Sequence, residues 1–148
     1  MTAPPTAYLD RLVRQRAEAV EAAVAGIDAD HLFEPIVAGS NSIGNLALHL
    51  AGNLKTLVGR IAGDVPYERD RDREFAARGL TQDELLVEFR DAIRVTREVL
   101  GRLDEATWDA PAVDSPFPDE SRGEHVLRAV EHLGYHAGQI VLIAKHHA

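Results

Sequence analysis

Seven histidines, His31, His49, His125, His132, His136, His146 and His147, are the side chains of this 148-residue sequence best suited to chemistry. His132 and His136 stand four apart, the spacing that puts two imidazoles on one helix face within reach of a single cation. Chance supplies about a third of one such pair at this histidine content, so the spacing alone does not define a site. Position on the helix adds to it. At about 100° per residue, His125, His132, His136, Gln139 and Ile143 form a narrow stripe beside the apolar centre of the last helical segment. Asn45, His49 and Asn53, also at spacing four, flank the apolar stripe of the second segment in the same way. Polar residues at a stripe boundary point into the seam between neighbouring helices, where helical bundles build metal sites.

Neutral imidazoles with no thiolate beside them suit Zn²⁺, Ni²⁺ or Fe²⁺. Three protein donors would leave a coordination position for water or substrate, the arrangement of catalytic rather than structural sites. The residues themselves leave the third donor open. His49 sits on another helix, whereas His125 lies seven residues before His132 on the same face. Asn45, Asn53 and Gln139, each one turn from a histidine, are placed to orient an imidazole or a bound water by hydrogen bonding. No Asp or Glu lies on the metal-facing stripes. Glu131 is about 100° away from His132 on the wheel, so a general base for hydrolysis is missing. His31 falls in a loop with no evident partner, and His146 and His147 are expected to be exposed. The run Glu68-Arg69-Asp70-Arg71-Asp72-Arg73-Glu74 alternates in sign and reads as a solvated loop.

Four segments with helical periodicity must position these groups, and none shows sustained strand-like alternation. The first runs from about Tyr8 to Gly26. The second runs from Ile43 to Ala62, with Ser42 as its cap and Gly63 as its stop. The third opens with the capping box Thr81-Gln82-Asp83-Glu84 and continues to about Leu103. The fourth opens with a second box, Ser121-Arg122-Gly123-Glu124, and ends near Lys145. Each has one apolar face that it cannot bury alone, which predicts an all-α four-helix bundle in one domain spanning residues 1–148. The connections Ile27–Asn41, Gly63–Leu80 and Asp104–Glu120 are long for a bundle. The last holds three prolines and the only tryptophan, Trp108, and is a candidate lid over the site.

The composition narrows the function. Hydrophobic residues make up 45% and charged ones 27%, as in an ordinary globular protein. A formal net charge of −8 speaks against binding to nucleic acid or an anionic membrane, both of which need clustered Lys and Arg. There is no cysteine, so disulfides and thiolate zinc sites are excluded and any reacting thiol comes from a small molecule. The N-terminus lacks an apolar signal core and no apolar run reaches the ~18 residues of a membrane span, so a cytoplasmic location is expected.

Three stretches carry a resemblance. They are Asn41-Ser42-Ile43-Gly44-Asn45 leading into His49-Leu50-Ala51-Gly52-Asn53-Leu54, then Arg71-Asp72-Arg73-Glu74-Phe75, and finally His132-Leu133-Gly134-Tyr135-His136-Ala137-Gly138-Gln139-Ile140. With them the chain resembles the DinB-like superfamily, and a bacterial family of unassigned function within it, over most of its length. The resemblance implies a four-helix bundle of DinB/YfiT-like type with long crossover loops, paired as a homodimer through helix faces. It also implies a divalent nickel, zinc or similar ion held by His49, His132 and His136, with His125 left out. Some members look like S-transferases or isomerases that use bacillithiol, mycothiol or glutathione. The expected function is therefore a metal-dependent enzyme that transfers a low-molecular-weight thiol to a small-molecule electrophile. The alternative is a non-enzymatic metal-binding protein, stress-associated or serving as a dimeric interaction module.

Overall fold

Apolar residues three and four apart build the first helix, α1 (Thr6–Gly26), which buries Leu9, Val13, Ala17, Val20 and Val24 along one stripe. The computed structural model describes residues 3–148; the reading of the N-terminus touches residues 1 and 2, which lie outside the described residues. Helix α2 (Ile43–Leu54) starts at Ser42, whose side chain accepts from the Asn45 N–H. The sequence predicts one uniform α-helix to Ala62, and here the structure differs. From Lys55 to Ala62 the helix winds more widely, in π-type turns. The Thr56 hydroxyl donates to the Gly52 carbonyl at 2.8 Å, competing with the backbone N–H that would otherwise bond there.

The predicted loop Gly63–Leu80 contains a short helix, α3 (Arg71–Ala76), capped by the Asp70 carboxylate, which accepts from the Arg73 N–H. Helices α4 (Gln82–Arg102) and α6 (Arg122–His146) begin at Thr81 and Ser121 with both capping boxes closed as expected. Between them lies α5 (Glu105–Asp109). Helix α1 packs on α4 and α6, and α2 with its π continuation packs on the same two helices. Phe89, Leu46, Leu50, Leu54, Leu85, Leu100, Leu133 and Ile140 are fully buried between them. The described residues contain no strand, only an isolated bridge between Pro111 and Ser121, and no helix long and apolar enough to cross a membrane.

The segment from Asp104 to Glu120 is strapped to the start of α6. Trp108 fills the space beside Gly123, where an added Cβ would fall 2.3 Å from the indole ring. Ser115 hydrogen-bonds the His125 ring, and the Arg128 guanidinium sits 3.8 Å from the centroid of Phe117.

Candidate metal centre

Helices α2 and α6 face each other, and their seam brings three imidazoles together. His49 Nε2 is 3.1 Å from His132 Nε2, which in turn is 3.0 Å from His136 Nε2. His49 is buried and the other two are half-buried. The ring planes cross at 70° for His49 and His132, and at 84° for each of the other two pairs. Mutually edge-on rings aim their in-plane lone pairs at one point. An ion about 2.1 Å from each nitrogen fits between atoms this far apart.

The protons lie on the far side. His49 Nδ1 lies 3.0 Å from Glu74 Oε1 and 3.2 Å from Arg69 Nη2, whose shorter bond, at 2.8 Å, goes to Glu74 Oε1. His136 Nδ1 lies 2.6 Å from Gln139 Oε1. Carboxylate and amide oxygens only accept, so both rings carry their proton at Nδ1 and present a bare Nε2 to the centre. Two bare nitrogens therefore face His132 Nε2, and a single proton there can satisfy only one of them. A shared cation satisfies all three, so the donor set fits a divalent ion.

Burial, and then the charges of His136 and His49, push His132 down to about 4. Burial also lowers His136, against the hydrogen bond to Gln139, which raises it. Both are lone-pair donors at neutral pH, as metal binding requires. The depressed value also sets a stability window. The unfolded chain takes up a proton on this histidine below about 6.5, whereas the folded one does so only near 4. Between these limits the unfolded state binds more protons, so stability falls on acidification. The metal-free protein should lose urea resistance between pH 7 and pH 5, and His132→Leu should flatten that loss. An equal loss in the variant would assign it to other groups.

Glu74 was read as part of a solvated loop, and the structure corrects this. It is buried at 3% exposure, with Arg69 Nε 2.8 Å from its Oε2 and Arg69 Nη2 2.8 Å from its Oε1. Burial raises its pKa, but the Arg69 and His49 hydrogen bonds outweigh this and hold it below the ordinary carboxylate value. Gly52 makes the approach possible: a Cβ there would lie 2.0 Å from Glu74 Oε2 and 3.1 Å from Arg69 Nε. At an unconstrained helical site Gly→Ala stabilises by about 1 kcal/mol. Here Gly52→Ala should forgo that gain and weaken metal binding by roughly tenfold, the lower end for losing an orienting partner. Calorimetric metal titration beside a thermal melt checks both.

Asn45 departs from its expected role. Its Nδ2 donates to the Glu74 and Ala77 carbonyls, each at 3.0 Å, so it fastens α3 to α2 and touches no imidazole of the triad. Gln139 stands beside His136, with Oε1 2.6 Å from its Nδ1. Asn53 is one turn from His49, and its Oδ1 is buried without a partner. His125, the rival donor, is fully buried and committed elsewhere, with Nδ1 donating to the Ser121 carbonyl at 2.8 Å and Nε2 accepting from Ser115. It neither joins the triad nor faces solvent.

A second histidine cluster shows what the triad has and others lack. His31 finds a partner after all, Glu34, at 2.5 Å, with His147 close by. The His31 and His147 rings, however, stack with planes 8° apart. Parallel rings send their lone pairs into parallel planes, so these two cannot share an ion unless one ring turns.

An all-helical protein with three imidazoles gathered at a helix seam, and so able to hold a metal ion, is the class that fold and geometry define. A family model of the DinB superfamily matches residues 11–140, and the chain belongs to that superfamily. No curated protein and no solved structure matches it.

Proposed function

We propose that this chain is a four-helix-bundle metalloenzyme that transfers a low-molecular-weight thiol to a small electrophile. In this reading His49, His132 and His136 hold Ni²⁺, Zn²⁺ or Fe²⁺. The observation that carries it is the convergence of three Nε2 atoms, with no fourth protein donor in the cluster. Such an ion lowers the pKa of a thiol bound to it and makes the nucleophile available at neutral pH. The protein contributes no thiol, having no cysteine, so the sulfur comes from a cosubstrate. Glu74 and Gln139 favour a proton on Nδ1 of His49 and of His136, which leaves the Nε2 lone pairs toward the centre.

Hydrolysis is less well supported. The carboxylate nearest the triad, Glu74, lies on the Nδ1 side of His49, and both its oxygens are held by Arg69. A general base needs a free lone pair aimed at the attacking water. The test is to load the protein with each metal and follow consumption of bacillithiol, mycothiol or glutathione with 1-chloro-2,4-dinitrobenzene. Turnover lost in His132→Ala supports the transferase; no turnover with any thiol removes it.

One observation is compatible with the alternative reading, a dimeric interaction module, without deciding between the two. Leu127, Tyr135 and Leu142 stand seven or eight residues apart on one face of α6, and the last two are 63% and 62% exposed. This face suits a second copy of the chain, a homodimer that would exist with or without catalysis. A cytoplasmic location goes with either reading.

A further inference from the structure

Among the described residues, three buried side-chain nitrogen or oxygen atoms lack a hydrogen-bond partner: Asn53 Oδ1, Arg122 Nε and His132 Nδ1. An orphaned buried polar atom is costly and is rarely left so without a reason. Two of the three are complementary and belong to the same seam. Asn53 follows His49 by one turn on α2, and His49 is the residue whose Nε2 meets His132 at 3.1 Å across the seam to α6. Side chains four apart on a helix are neighbours, about 5–6 Å between Cβ atoms. They also lean toward the helix N-terminus, which carries the Asn53 amide back toward the level of His49 and His132.

Tautomer chemistry explains both orphans at once. His49 and His136 hold their protons at Nδ1. His132 Nε2 is then the one position in the triad where a proton relieves facing lone pairs, and with the proton there His132 Nδ1 is itself a bare lone pair. A carbonyl oxygen of the same seam then has no proton to accept from it. Committing Nε2 to a cation moves the proton to Nδ1 and turns it into a donor.

We infer that Asn53 Oδ1 accepts a hydrogen bond from His132 Nδ1–H when the triad holds its metal. Each ligating ring is then backed by an oxygen: Glu74 for His49, Gln139 for His136 and Asn53 for His132. Asn53 is a positioning residue whose hydrogen bond forms only with the ion, so it strengthens metal binding without stabilising the metal-free fold. This rests on the triad being a metal site.

The test uses Zn²⁺ titration of the whole chain, parent against Asn53→Leu and Asn53→Asp, with a thermal melt of each metal-free protein. Asn53→Leu is expected to weaken Zn²⁺ binding 10–100-fold while the metal-free melting temperature holds or rises, since a buried oxygen without a donor has been removed. Asn53→Asp, which keeps an acceptor, is expected to restore affinity. In the Zn²⁺-loaded parent, long-range ¹H–¹⁵N spectra should show a slowly exchanging proton on His132 Nδ1, and Asn53→Leu should speed its exchange. Unchanged affinity in Asn53→Leu overturns the inference, as does a parallel drop in melting temperature and affinity that Asp does not rescue. A parent protein that binds no Zn²⁺ overturns the metal reading itself, a different outcome.

Discussion

A His132→Ala variant dialysed against Ni²⁺ or Zn²⁺ should retain no stoichiometric metal at micromolar free ion, where the parent retains one per chain. His132 is the middle donor, within 3.0–3.1 Å of the other two, so its loss leaves His49 and His136 as an isolated pair. Structural zinc sites with four donors bind with roughly 10–16 kcal/mol, or about 2.5–4 per donor, which is roughly two to three decades of affinity. The fold should survive. The ring is half-buried and its Nδ1 has no partner to lose, so the melting temperature of the metal-free variant should stay close to the parent's. Metal content measured by plasma emission, beside circular dichroism, decides the matter, and equal metal in both proteins would refute the centre.

Glu74→Ala should be the most destabilising single change near the site. The carboxylate is buried and, among the described residues, is the only anion bonded to Arg69, whose side chain is 20% exposed. Removing one partner of a buried pair costs about 3–5 kcal/mol because the other charge is left uncompensated. The partial exposure of Arg69 places the cost near the lower end, about 3 kcal/mol, which for a chain this size lowers the melting temperature by roughly 6–12 °C. The same change leaves His49 Nδ1 without an acceptor and should weaken metal binding 10–100-fold. Glu74→Gln separates the two effects. It keeps an oxygen for His49 but no charge for Arg69, so stability should suffer more than affinity. A Glu74→Ala protein as stable as the parent would show that the pair contributes nothing.

The long helices and the triad were legible because both are written in local patterns. Apolar spacing of three and four gives the helices, and Ser42, Thr81 and Ser121 cap them where expected. The histidines sit at stripe edges on two helices that must pack together, so the seam follows from the pattern. Glu74 and Arg69 were hidden because a run of alternating charge looks the same whether it is solvated or folded back, and six residues of α3 are too few to show a period. The available signal was Gly52, one residue before Asn53 inside a helix, where a missing side chain marks a close approach. Asn45 meets α3 instead of the triad, because spacing on a helix says which way a side chain points but not which loop returns to meet it. The π-type winding after Leu54 left no mark in the apolar pattern, since Leu57, Val58 and Ile61 are buried in it all the same.

The segment between α4 and α6 has a bearing on how anything reaches the triad. Ser115 and Phe117 are pinned at the His125 end of α6, seven residues before His132 and so about 10 Å up the helix axis. Trp108 wedged against Gly123 closes the same end. The connection from Asp104 to Glu120 is thus a brace, not a door. Access to the imidazoles does not require that brace to open, and its release would register in unfolding.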